Sequence, residues 1–213
     1  MQIAHEIKNP LTPMKLNIQY LEKSFKNNDP EFKSKIKSIS QSLITQIDAL
    51  NNVAEMFSNF AKTRSLDFEK VNLKKIAVSA VNLFNKNSNV SFSITYDDSD
   101  YFTLGFEKDI IRAVNNILKN AIQSVENDIA GVINVDLKYE SNYISLAISD
   151  NGKGIPDKMK SKIFQPYFTT KTSGTGLGLA IVKNIMNEIG GDIRFESGKE
   201  RGITFYLTFP QFN

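Results

Sequence analysis

The chain has 213 residues, 41% of them hydrophobic, which is enough for one domain of ordinary size and a smaller element. Lysine and arginine number 26 against 23 aspartate and glutamate, and the resulting charge of +3 is too small to mark a nucleic-acid binder. There is no cysteine, which removes disulfides and thiolate metal sites, and no apolar run of about 18 residues or signal peptide occurs.

From Ile3 onward, Ile7, Leu11, Met14, Ile18, Leu21 and Phe25 recur three or four apart, so a helix with one apolar stripe is predicted over residues 2–26. It carries His5, the only histidine in the chain. Pro10 and Pro13 each remove an amide donor and crowd the carbonyl four residues back, so a bend after His5 is expected. Asn27, Asn28, Asp29 and Pro30 form a short polar turn, with Asp29 suited to cap the next helix and Pro30 to open it.

A second helix is predicted from Pro30 to Lys62, with Phe32, Ile36, Ile39, Leu43, Ile47, Leu50, Val53, Phe57 and Phe60 on one side. So short a link makes the two helices antiparallel neighbours. At 1.5 Å per residue they would be roughly 36 and 48 Å long, which suggests that about eight to ten residues of the first helix lie upstream in a longer parent protein. Two such helices cannot bury a full apolar stripe between themselves, and symmetric pairing into a dimeric four-helix bundle is the expected remedy. A hairpin lying on the following domain is the plainer alternative.

Residues 63–72 lose the stripe and gather charge, so they read as a linker dividing a helical domain (1–65) from a second domain (66–213). Beyond it the pattern predicts a helix over Leu73–Phe84, a strand over Val90–Tyr96 and a helix over Glu107–Glu126. Two strands follow, Gly131–Tyr139 and Tyr143–Ser149, then a short helical piece at Lys158–Phe164. A helix over Gly178–Ile189 stops at Gly190 and Gly191, and a hairpin of Ile193–Ser197 and Ile203–Phe209 closes the chain. This mixture implies a two-layer α/β sandwich with helices on one sheet face.

Four stretches carry chemistry. His5 and Asn9 share a helical face at i and i+4, and Glu6, one step round, is placed to take or orient an imidazole proton. With a reference pKa near about 6.5, a neutral imidazole is a competent nucleophile or base, whereas metal ligation would need further histidine or cysteine. An isolated surface histidine would ordinarily be inert, so its neighbours decide. Asn115, Asn116 and Asn120 sit among Ile111, Val114, Ile117, Leu118 and Ala121, although asparagine is a poor helix-interior residue. Asn116 and Asn120 share a face, and an amide oxygen suits a hydrated Mg²⁺; a merely wet face is the bland reading.

Asp150, Gly152 and Gly154 follow the alternating strand directly. A carboxylate beside glycines suits recognition of an exocyclic amine on a flat base, although a plain turn also uses such residues. Gly174, Thr175, Gly176, Leu177 and Gly178 open a helix whose free amides can receive phosphate, with Lys171 available to meet the charge. The spacing matches neither the dinucleotide fingerprint nor the P-loop. Phe164, Tyr167 and Phe168 are placed to anchor this segment as a hinged cover.

Together these stretches resemble the catalytic core of a two-component sensor histidine kinase. HEIKNPLTP from His5 to Pro13 resembles the phosphoacceptor box, NNILKNA from Asn115 to Ala121 the asparagine box, and DNGKGIP from Asp150 to Pro156 the first glycine box. FQPYFTTK from Phe164 to Lys171 is similar to the phenylalanine box, GTGLGLAI from Gly174 to Ile181 to the second glycine box, and Gly202 to Phe205 to the closing one. The wording of the first box and the short lid are nearest to nitrogen-regulation sensors of the NtrY kind. Gln165 stands where many relatives have glutamate and Ile203 where threonine is frequent.

The resemblance implies a Bergerat-type ATP-binding fold, with ATP and Mg²⁺ as cofactors. It implies that His5 is phosphorylated, that Glu6 activates it, and that Asn9 orients water when the response regulator is dephosphorylated. It further implies Asn120 as the Mg²⁺ ligand with Asn116 assisting, Lys119 near phosphate, Asp150 on the adenine amine, and Gly152 and Gly154 shaping that wall. Lys171, Gly174, Thr175, Gly176, Leu177 and Gly178 would form the lid over the triphosphate. The expected partners are a second copy of the chain and a response-regulator receiver domain. Membrane contact would come only through upstream regions, with the fragment itself cytoplasmic and its parent an inner-membrane sensor. Rival readings are a phosphatase-dominant member, a serine-directed kinase or ATPase on the same fold, and a degenerate scaffold.

Overall fold

The computed structural model describes residues 2–27, 32–61, 68–85, 90–125, 130–170, 176–198 and 201–212; the side chains of residues 2–9, 34, 45, 48, 49 and 51–61 are not among those described. The chain divides into two compact units, one built on the N-terminal helices and the other beginning at residue 67.

In the first unit α1 spans Gln2–Lys26 and α2 spans Phe32–Ala61. Pro10 and Pro13 lie inside α1, which continues through both. The helices pair antiparallel: the rings of Phe25 and Phe32 are 5.8 Å apart, Lys35 lies over Tyr20, and Asn17 Nδ2 donates to Ser42 Oγ at 3.1 Å. The contact seam differs from the predicted stripe. Pro10 and Ser24 are buried and Met14, Asn17 and Leu21 half-buried, while Leu11, Leu16, Ile18 and Phe25 stay exposed. On α2, Ile36, Ile44 and Ile47 are likewise exposed. A single partner helix covers one narrow seam, and the rest of a broad apolar stripe is left in water.

The second unit is an α/β sandwich. Its sheet has the order β2 (Val90–Thr95), β4 (Gly131–Glu140), β5 (Tyr143–Asp150), β7 (Ile203–Pro210), β6 (Asp192–Ser197). Only β2 and β4 run parallel; the other neighbours are antiparallel. α3 (Leu73–Asn85), α4 (Glu107–Ser124) and α6 (Gly178–Glu188) carry the helical layer, and α5 (Asp157–Lys160) is one short turn. The alternation in β4, β5 and β7 sends Ile133, Val135, Leu137, Ile144, Leu146, Ile148, Leu207 and Phe209 inward. The core is completed by Ile110, Val114, Ile117 and Leu118 of α4 and by Ala180, Ile181 and Val182 of α6. Central strand β5 is the most enclosed, with Ser145 and Ala147 on its second face buried as well as Ile144, Leu146 and Ile148 on the first.

Two strands are absent from the sequence pattern. β1 (Glu69–Asn72) falls inside the predicted linker, and it pairs antiparallel with β3 (Phe102–Gly105) in a separate two-stranded sheet. β1 has only Val71 buried, too little apolar alternation to read, but its polar residues act locally. Glu69 accepts from the backbone N–H of Glu107 at the start of α4, and Asn72 Oδ1 caps α3 through the Lys75 N–H. The buried Tyr101 stacks on Tyr139, with ring centroids 4.9 Å apart. Its hydroxyl lies within hydrogen-bond distance of Asp97 Oδ1 and the Leu137 carbonyl, and burial raises its pKa above the usual phenol value.

Candidate functional site

Asp150 ends the central strand, paired with Ile133 on one side and Ile203 on the other. The residue is 9% exposed and its Oδ1 receives hydrogen bonds from Ser124 Oγ at 2.8 Å and from the Gly152 N–H at 2.9 Å. The loop beyond it is tied on three sides. Asn151 mimics a further strand residue, accepting from the Val132 N–H and donating through Nδ2 to the Ala130 carbonyl. Lys153 N–H donates to the Ser124 carbonyl at the end of α4, and Gly202 N–H donates to the Gly152 carbonyl at 2.7 Å. Gly152 must lack a side chain: a Cβ there would lie 2.1 Å from Ser124 Oγ and 2.6 Å from its carbonyl oxygen.

Helix α4 supplies one wall. Asn116, Asn120 and Ser124 fall at i, i+4 and i+8, so all three project from one face. The same helix turns Ile110, Ala113, Val114, Ile117, Leu118 and Ala121 into the core, which explains how a sequence with three half-buried asparagines still folds as an amphipathic helix. Asn116 Nδ2 donates to the Arg112 carbonyl at 3.0 Å, which uses one of its two amide protons and fixes the amide with Oδ1 at the other end. That oxygen lies 3.3 Å from where a Cβ on Gly178 would stand, so the start of α6 approaches α4 at Asn116. Two turns of α4, about 12 Å at 1.5 Å per residue, therefore separate the Asp150 carboxylate from the α6 N-terminus. The span is comparable to the length of a purine nucleoside triphosphate.

At the α6 end, Gly178 is the first helical residue and Leu177 the preceding cap. The Leu177 side chain is fully buried in the core, so its backbone is the part that can meet a ligand. Gly176, with φ +68°, packs against the Tyr167–Phe168 backbone, where a Cβ would stand 2.5 Å from the Tyr167 carbonyl carbon. The chain thus leaves near Phe168 and returns near Gly176 at one pinched base. Lys171, Gly174 and Thr175 lie outside the described residues. Of the aromatic anchors, Phe164 packs against Phe195 at 5.9 Å, but Tyr167 is 45% exposed; buried Ile163 does more to hold the segment. Lys119 is exposed on α4, and Gly154 stands with φ +70° against the Gly202 carbonyl. His5, Glu6 and Asn9 are carried by α1 in unbroken helix, with their side chains outside those described. Ser124 belongs to no motif; its i+4 spacing from Asn120 is the signal in the sequence that marks it.

Amide side chains on a polar helix face, with a helix N-terminus near one of them, are a donor set that fits a hydrated divalent cation and the phosphates it accompanies. Among the described residues no group of three histidine, cysteine or acidic side chains forms a protein-only metal cage. Residues 105–213 match the family described as histidine kinase-, DNA gyrase B-, and HSP90-like ATPase, and residues 2–59 match the His Kinase A (phospho-acceptor) domain. The chain belongs to the two-component histidine kinases. Its α/β unit is the Bergerat-type ATP-binding domain of that family and its N-terminal unit the helical phospho-acceptor region.

This histidine-kinase core is 34% identical over 98% of its length to an NtrY-like sensor histidine kinase of Rickettsia prowazekii, of which it covers 35%. It is 32% identical, again over 98%, to the signal transduction histidine-protein kinase AtoS of Escherichia coli, covering 34% of that protein. Identities so close to one another do not single out the NtrY kind. The chain spans about a third of the length of these curated relatives. Among solved structures, histidine kinase ThkA in complex with response regulator protein TrrA aligns over 99% of this chain and 60% of the other, with 27% identity and a TM-score of 0.74. No helix among the described residues is long and apolar enough to cross a membrane.

Proposed function

We propose that this chain transfers the γ-phosphoryl group of ATP to His5 and then to an aspartate on a receiver domain of a response regulator. The observation that carries the reading is the strip from Asp150 along Ser124, Asn120 and Asn116 to the start of α6, a nucleotide-length site on the same chain as the phospho-acceptor sequence. Asp150 accepts from the exocyclic amine of adenine, and Gly152 and Gly154 let the backbone flank the base. The N–H groups opening α6 at Gly176, Leu177 and Gly178 receive phosphate oxygens, with Lys171, Gly174 and Thr175 closing over them and Lys119 adding positive charge. A magnesium ion, when bound, neutralises phosphate charge, and the amide oxygens of Asn120 and Asn116 are the protein groups that would hold it.

The Nε2 of His5 attacks the γ-phosphorus in line; the bond to the bridging oxygen breaks, ADP leaves, and Glu6 takes or steers the Nδ1 proton. The phosphoryl group next passes from Nε2 to a receiver carboxylate. The ThkA structure, solved with a response regulator, supports such a partner. Asn9 orients water for hydrolysis of the regulator's phosphoryl group. The exposed Leu16, Ile18 and Phe25 of α1 and Ile44 and Ile47 of α2 support a homodimer in which two hairpins complete a four-helix bundle. We place the domain division at residues 65 and 66.

Incubation with radiolabelled ATP and Mg²⁺ tests the reading. Acid-labile, base-stable label is expected on the wild-type chain, none on His5→Ala, and nucleotide binding is expected to survive in that variant. Acid-stable label on His5→Ala would refute the assignment of His5, and a wild-type chain that binds ATP without labelling would make it a scaffold.

A further inference from the structure

The hydroxyl of Ser124, a residue outside the motifs, touches the Asp150 carboxylate. It lies 2.8 Å from Asp150 Oδ1 and 2.7 Å from the carbonyl oxygen of Ala121. A serine hydroxyl has one proton, so these acceptors compete for it. The Ala121 carbonyl sits in the last turn of α4, where carbonyls lack helical donors; the Val125 N–H turns instead to Ile122. An ionised carboxylate is the stronger acceptor, because hydrogen bonds to charged groups are roughly twice as strong as neutral ones. The proton therefore goes to Asp150, while the Gly152 N–H fills the second acceptor direction of the same oxygen. Two donors on Oδ1, one from helix α4 and one from the loop, fix the plane of the carboxylate.

Resting on the reading of Asp150 as the adenine contact, we infer that Ser124 is a positioning residue for base selection. A purine with an amino group at the contact offers an N–H to the carboxylate; one with a carbonyl there offers a second acceptor and is repelled. A carboxylate free to rotate relieves that repulsion, whereas one clamped by Ser124 and Gly152 does not. The hydroxyl thus strengthens ATP binding and, separately, sharpens rejection of inosine triphosphate. The close approach is permitted because residue 152 is glycine, since a Cβ there would fall on Ser124 Oγ.

Equilibrium binding of ATP and inosine triphosphate to the whole chain, in wild-type, Ser124→Ala, Ser124→Thr and Asp150→Asn forms, tests this. Ser124→Ala should weaken ATP by about tenfold, the scale of one hydrogen bond to a charged group, and leave inosine triphosphate within about twofold of wild type. Ser124→Thr keeps the hydroxyl and should retain most of the wild-type ratio. A role in helix packing alone would weaken both nucleotides together, so an unchanged ratio in Ser124→Ala overturns the inference, as does a threonine variant that behaves like alanine. If Asp150→Asn keeps the wild-type ratio, the adenine contact itself is wrong. If it loses the ratio while Ser124→Ala keeps it, only the role of Ser124 fails.

Discussion

The two units use apolar residues in opposite ways. In the α/β unit the inward residues of the central strand, Ile144, Leu146 and Ile148, are sealed by neighbouring strands and by α4 and α6. In the helix pair Leu16, Ile44 and Phe25 remain 59%, 58% and 68% exposed, while the seam between helices holds Asn17, Ser24 and Ser42. A three-dimensional core and a two-helix seam therefore differ in what a large apolar side chain gains. In the first it loses contact with water completely; in the second most of its surface stays in water.

The sharpest way to break this contrast is to remove the same kind of atoms from each unit. Leu146→Ala should destabilise the α/β unit by about 3 kcal/mol, since a fully enclosed leucine leaves a cavity that its neighbours fill only in part. Denaturant unfolding followed by near-ultraviolet aromatic signals reads the loss, and a change below about 1 kcal/mol would show that the core collapses around the vacancy. The corresponding pair Leu16→Asp and Ile44→Asp should leave nucleotide binding unaltered and weaken self-association by more than about tenfold, or 1.4 kcal/mol. Sedimentation across a concentration series measures this, and an unchanged mass would count against the four-helix bundle.

The contrast also explains what could be read in the sequence. Strands that bury one face announce themselves by alternation, so β4, β5 and β7 were legible to within a residue or two. β1 and β3 were not: with four residues each and only Val71, Thr103 and Gly105 inward, they have too little apolar signal, and β1 hides in a charged segment. For the helices, periodicity located α1 and α2 but not the seam between them, because a broad stripe does not say which edge meets the first partner. The glycine and asparagine motifs were legible because their residue types contradict their local setting, such as asparagine within an amphipathic helix. Ser124 has only its i+4 spacing from Asn120 to mark it, a faint signal because serine near a helix end is ordinary and only folding brings it to Asp150.

A smaller test lies in the helix seam itself. Asn17 is half-buried and donates to Ser42 across the pair, so Asn17→Ala should cost about 1 kcal/mol, the net worth of one hydrogen bond. Asn17→Leu separates register from stability. Filling the seam with carbon should recover the loss if Asn17 serves only cohesion; continued loss of order in the helix pair, read by hydrogen exchange across α1 and α2, would show that the polar pair sets alignment.

The smallest effect comes from the surface of the α/β unit. Lys183 on α6 lies 2.5 Å from Asp192 at the start of β6, tying the two elements across the Gly190–Gly191 turn. The Lys183 hydrogen bond holds the Asp192 carboxyl below its usual value, with further lowering from the Ile193 N–H and from Arg194. The folded pKa is depressed, so the pair's contribution is present above the unfolded value of about 3.9 and is lost as pH falls through the folded one. Because Asp192 is exposed and Lys183 half-buried at the surface, solvent screens the pair, and Lys183→Met should cost only about 0.5 kcal/mol at neutral pH. The difference from wild type should shrink in high salt and disappear at a pH low enough to protonate Asp192 in both proteins. A deficit that persists unchanged in strong acid would mean that the lysine stem, packed along α6, matters more than its charge.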